Sequence, residues 1–129
     1  MSKEFEAYTE LIQNNFTEEE VVNLLRSLVT IESHKYVRDQ EREIGEFIYK
    51  FLKENDFQAK KQMVTDKRFN VIGKMSGEGG GKSLLLNGHL DTVPPYEMEF
   101  EPFLAKVEDG IVYGRGTVDM KGAIACMLM

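Results

Sequence analysis

Two hydrophobic patterns follow one another along the chain. From Thr17, "TEEEVVNLLRSLVTI" sets Val21, Leu24, Leu25 and Leu28 at helical spacing, behind Thr17 and Glu20 placed three apart as in a capping box. That spacing predicts a helix. A second stripe, Ile44, Phe47, Ile48, Phe51 and Leu52, runs through "REIGEFIYKFLKEND" with Lys50, Lys53 and Glu54 outside it, so a helix there should stop near Asn55-Asp56. Between the two, "ESHKYVRDQ" is polar and aperiodic. It holds His34, which reads as a solvated loop residue because no carboxylate stands at a recognisable ligand spacing from it.

After Asn55 the period shortens. "FQAKKQMV", "FNVIGKM" and "SLLLNGHL" read as strands, and "FLAKVEDGIVYGRG" as a hairpin turned at Asp109-Gly110. Leu84, Leu85 and Leu86 are apolar in succession, which fits a strand covered on both faces, so "SLLLNGHL" is expected at the centre of a sheet. The chain ends on "DMKGAIACMLM", which starts like a helix. The order implies an α/β fold, a mixed β-sheet flanked by helices, in one domain over residues 1–129.

The bulk numbers narrow the partners. With 22 acidic against 16 basic residues the net charge is -6, so a nucleic-acid or anionic-membrane surface would oppose the overall field. Cys126, the one cysteine, has no internal disulfide partner and is expected as a buried, inert thiol in an apolar stretch. "MSKEFEAYTE" has neither the basic start nor the apolar run of a secretory signal, and no stretch approaches the ~20 apolar residues of a membrane span. A cytoplasmic address is expected.

Two chemistries compete in "MSGEGGGKSLLLNGHLDTVPP". A phosphate loop needs a glycine, four residues, then Gly-Lys-Ser/Thr opening a helix, but Ser76 stands where the first glycine should be and a strand-like run follows Ser83. The glycines read instead as a loop tip. In a strand, His89 and Asp91 point to one face, with Leu90 turned to the core; an imidazole ligates zinc well and a carboxylate on its other N–H fixes the tautomer. Thr92-Val93-Pro94-Pro95 then stiffens the exit. In "YGRGTVDMKGAIA", Gly114 and Gly116 permit close approach or positive φ, and Asp119 precedes the last helix. A single aspartate is able to bridge two cations, although one before a helix is also an ordinary N-cap. Lys121 nearby reads as solvated.

"LLLNGHLDTVPP" followed by "PFLAKVEDGIVYGRGTVDMKG" resembles the N-terminal part of the M20 family of dinuclear zinc hydrolases, which includes acetylornithine deacetylase, succinyl-diaminopimelate desuccinylase, aminoacylase and several peptidases. The resemblance runs from about Asn70 onward. It implies that His89 ligates one metal, that Asp119 bridges both, that Asp91 orients His89 in the catalytic site, and that the Asp119-Met120 peptide bond is cis. It also implies zinc, with cobalt or manganese as substitutes, an N-acyl amino acid or short peptide as substrate, and a homodimer when full-length.

The family's Glu-Glu pair, further acidic ligand and second histidine follow the bridging aspartate, and Asp119 stands ten residues from the end of this sequence. The expectation is therefore an incomplete catalytic domain, inactive alone, with uncovered apolar surface that invites association. The alternative is a stand-alone, non-catalytic binding or scaffold module that keeps half of the fold.

Overall fold

The chain enters in a helix that the pattern reading leaves unassigned. In the computed structural model, which describes residues 3–129 and side chains from residue 5 onward, α1 covers Lys3–Asn15. Phe5, Tyr8, Leu11 and Ile12 on it are each more than half exposed. Thr17 then caps α2 (Glu18–Thr30) as its spacing requires: its hydroxyl accepts the Glu20 N–H at 3.2 Å, and its own N–H donates to the Glu20 carboxylate at 2.8 Å. The Thr17 N–H and the Thr17 hydroxyl, each 2.8 Å from Glu20 Oε2, hold the Glu20 carboxyl below the usual carboxylate range.

The third helix, α3 (Arg42–Glu54), buries Ile44, Gly45, Ile48 and Leu52, leaves Phe47 and Phe51 half-buried, and ends at Asn55, whose N–H bonds the Phe51 carbonyl. Its apolar stripe joins Leu24 and Leu28 of α2 and Ile124 and Ala125 of α4 (Gly122–Leu128) in one core. Each fully buried Leu or Ile there contributes about 1.5–3 kcal/mol. These three helices therefore form the frame on which the loops are hung.

Two antiparallel hairpins flank that frame. β1 (Gln58–Met63) pairs with β2 (Phe69–Lys74), Gln58 opposite Lys74 and Met63 opposite Phe69. Phe69 turns inward onto Gly45 of α3, where an added Cβ would lie 3.0 Å from its ring. β3 (Lys106–Glu108) and β4 (Ile111–Tyr113) meet through Asp109 (φ 50°) and Gly110 (φ 76°), the two positive-φ positions of a tight hairpin turn. The α/β class and all these elements agree with the pattern reading.

Three details do not. Residues 84–91 form no strand, and Leu84, Leu85 and Leu86 are 83%, 86% and 54% exposed. An apolar run becomes a central strand only between two neighbours, and among the described residues none pairs with it. Only its far end is tied: Thr92 makes a parallel bridge with His34 and donates its N–H to the Ser33 carbonyl at 3.1 Å. Leu90, as expected, packs on the core.

His34 is buried rather than solvated. Its ring stacks on Phe103 with centroids 5.9 Å apart, and its Nδ1 receives the Tyr36 N–H at 3.3 Å. A side chain nearly 70 positions away in sequence provides that cover, which local polarity does not reveal. Cys126, expected buried, is exposed, because Ile124 and Ala125 take the inward face of α4 and Cys126 falls about 100° round from its neighbour. Among the described residues no helix is long and apolar enough to cross a membrane.

Candidate metal centre

Two glycines bring the site's halves together. Beyond β4, Gly114 lies so close on α2 that a Cβ would stand 2.3 Å from Val29 Cγ1, and the next N–H, of Arg115, bonds the Pro102 carbonyl at 2.7 Å. Gly116 follows with φ 85°, and a Cβ there would stand 2.7 Å from Thr92 Cγ2. The strip that carries His89 and the strip that carries Asp119 thus touch at Thr92 and Gly116.

A wide turn over Thr117–Lys121 then presents Asp119. It is closed by the Lys121 N–H on the Gly116 carbonyl at 2.8 Å, while Asp119 (φ -129°, ψ 97°) and Met120 (φ -135°, ψ 30°) leave helical values. The Asp119-Met120 peptide bond is cis, as the resemblance implies. Met120 folds back over Gly88, and its sulfur accepts the His89 backbone N–H at 3.4 Å.

The three residues singled out in the sequence converge. His89 Nε2 lies 2.9 Å from Asp119 Oδ1, and Nδ1 lies 2.9 Å from the Asp91 carbonyl oxygen. Asp91's carboxylate is the more distant partner, with Oδ1 at 3.4 Å, so the main chain of Asp91 fixes the ring more closely than its side chain does. His89 and Asp119 stay 46% and 83% exposed at the lip of a cleft of about 290 Å³ that Arg115, Gly116 and Val118 also line. The Asp119 carboxylate holds the His89 imidazole above its ordinary value; partial burial opposes this, and the Asp91 carbonyl and charge add to it. A larger hollow of about 380 Å³ between residues 37–40 and 65–68 is a weaker candidate, since Lys67 is paired with Asp39 and Arg68 with Glu41.

The donor chemistry fits part of a metal site. With Nδ1–H committed to a carbonyl, Nε2 carries the free lone pair of the neutral ring, and it faces a carboxylate oxygen, the pairing by which His and Asp share a divalent cation. The 2.9 Å contact is closed by a proton, which binding of a cation would displace. Two donors fall short of the three or four that hold zinc firmly, and among the described residues no group of three such side chains is arranged to hold a metal ion.

The pattern reading missed two supports of this site. Lys121 is buried rather than solvated, with Nζ donating to the Ile31 carbonyl at 2.6 Å, and burial pushes its ammonium down to about 8. Arg115 donates to the Pro95 carbonyl at 3.2 Å and so ties the site to the loop after Thr92. For Lys121 a signal existed: it is the one charged residue between Asp119 and the apolar run of α4.

Comparison with known proteins bears on the same residues. The family model for Peptidase family M20/M25/M40 matches residues 85–129, the segment that holds all three site residues. A probable carboxypeptidase of Trichophyton verrucosum is 34% identical over 125 residues, covering 85% of this chain and 26% of the relative. One from Aspergillus clavatus is 36% identical over 111 residues, covering 80% and 26%, and one from Aspergillus terreus 38% over 113 residues, covering 80% and 24%. The chain thus spans about a quarter of the length of these relatives. Over residues 85–129, then, the chain matches the model of peptidase family M20/M25/M40.

Proposed function

We propose that this chain supplies the His89, Asp91 and Asp119 portion of the active site of a metal-dependent hydrolase that cleaves the amide bond of a short peptide or an N-acyl amino acid. The observation that carries it is the meeting of His89 Nε2 and Asp119 Oδ1 at 2.9 Å across 30 residues of sequence, in a cleft open to solvent. The family and the naming of its relatives as probable carboxypeptidases favour peptide over N-acyl substrates.

In this reading His89 and Asp119 would hold divalent metal, zinc by the resemblance, which also implies that Asp119 would serve both ions of a pair. A bound metal of this kind polarises a carbonyl oxygen and lowers the pKa of bound water. The chain's own residues prepare for it. The Asp91 carbonyl accepts a hydrogen bond from Nδ1–H and so leaves Nε2 as the ligating atom. Met120's sulfur and the Gly116–Thr92 contact keep the two strips from drifting apart. Arg115, which lines the cleft, donates to the Pro95 carbonyl and so ties the cleft to the stiff Pro94-Pro95 pair that follows Val93. The general base and the remaining ligands are assigned to polypeptide matching the rest of the longer relatives, as is pairing into a homodimer.

The test is hydrolysis by the intact protein of a C-terminally blocked peptide, the same peptide with a free C-terminal carboxylate, and an N-acetyl amino acid, with and without a chelator. Chelator-sensitive cleavage of the free-carboxylate peptide is expected. Turnover indifferent to chelator, or confined to none of the three, contradicts the proposal.

A further inference from the structure

Lys121 has a role that the chemistry above does not use. Only 1% of it is exposed, and an ammonium held away from water is costly unless it is bonded. Its stem runs beneath Gly116, where a Cβ would meet Lys121 Cδ at 3.3 Å and Cε at 3.5 Å, and its Nζ reaches the Ile31 carbonyl at 2.6 Å. Ile31 closes α2, a helix with no basic residue in its last turn. Helix C-termini leave carbonyls unbonded and favour cations, so α2 receives here, from 90 residues downstream, the charge its own sequence lacks.

The same short stretch holds the other half of the site. Ser33, two residues past Ile31, accepts the Thr92 N–H at 3.1 Å, and Thr92 lies three residues after His89. Lys121 lies two residues after Asp119. Residues 31–33 therefore grip both strips, one through a main-chain bond and the other through a buried side chain.

We propose that Lys121 is a positioning residue whose ammonium, bonded to the Ile31 carbonyl from beneath Gly116, keeps Asp119 in register with His89. The inference rests on the reading of those two residues as metal ligands. It predicts that geometry at the site, and not only the stability of the fold, depends on the Nζ bond.

The experiment compares K121M, which keeps the stem and removes the donor, with K121A, which removes both, in the intact protein. Co²⁺ alone is titrated into each and followed by the visible absorption of the bound ion, with the thermal midpoint of the metal-free protein measured alongside. K121M is expected to bind Co²⁺ about tenfold more weakly, the scale on which partners of metal ligands act, with a changed spectrum, and K121A no less weakly. A K121M protein that binds Co²⁺ like the unaltered one, whatever its thermal midpoint, would overturn the proposal.

A second readout needs no metal. The ring ¹⁵N signals of His89 report its bond to Asp119; the proposal expects that bond in the unaltered protein and its loss in K121M, whereas retention in K121M overturns it. If the unaltered protein bound no Co²⁺, the metal reading would fail while these signals still decided the positioning role. Should K121M not fold, the unaltered protein carries the test: Lys121 ammonium protons protected from exchange are expected, and freely exchanging ones overturn the proposal.

Discussion

Thr92 and Gly116 are in contact across the site, so close that any side chain at 116 would stand 2.7 Å from Thr92 Cγ2 and 3.3 Å from Lys121 Cδ. Gly116 also has φ 85°, a conformation that costs other residues about 1–2 kcal/mol. Overpacking adds a similar amount, so G116A is expected to destabilise the protein by about 2–4 kcal/mol. G77A is the control, because nothing lies within 4 Å of a Cβ there; its change should stay within about 0.5 kcal/mol. Urea unfolding of both variants checks the pair.

The titration of His89 should depend on its contact with Asp119. The raised pKa of His89, due first to Asp119, means that their contact contributes stability fully below pH 6.5, the ordinary imidazole value, and loses it as pH rises through the raised folded value. D119N should bring the imidazole back down, as an NMR titration of its ring protons would read. Because the same Nε2 proton competes with a cation, Co²⁺ affinity should fall as pH drops below the folded value.

Lys121 should leave the opposite mark. Its folded pKa of about 8 lies below the ordinary 10.5, so the unfolded chain binds more protons between those two values and stability rises with pH across that window. Unfolding midpoints measured from pH 8 to 10.5 should climb in the unaltered protein. In K121M that climb should flatten.

Local rules were legible in the sequence where local bonds decide the structure. Thr17 and Glu20 announce α2 because both partners of the capping box lie within four residues, and T17A should cost about 1 kcal/mol of stability in chemical denaturation. Asp109-Gly110 announces its hairpin for the same reason, since the turn needs only two residues of positive φ. His89, Asp91 and Asp119 were singled out by two motifs and the family resemblance they carry, and the structure brings them together, although neither says that the Asp91 carbonyl stands nearer to the ring than the carboxylate does. His34 and Lys121 were misread because their cover comes from Phe103 and Ile31, far off in sequence. The leucines at 84–86 failed for another reason: an apolar run states that a strand wants partners, not that partners are present.

Those leucines yield a prediction of their own. A stretch with exposed apolar side chains and unpaired backbone is a template for pairing, so the 129-residue chain should associate increasingly as its concentration rises. Replacing Leu84 and Leu85 by lysine should shift sedimentation toward the monomer. Equal association by the double variant would point to another surface.

The most direct measurement is Co²⁺ titration of the intact protein beside H89A and D119A, read by the spectrum and stoichiometry of the bound ion. The account predicts that each substitution weakens binding by at least about tenfold and that D119A, which removes the shared ligand, lowers the number of ions bound. Unchanged affinity, spectrum and stoichiometry in both variants would contradict it.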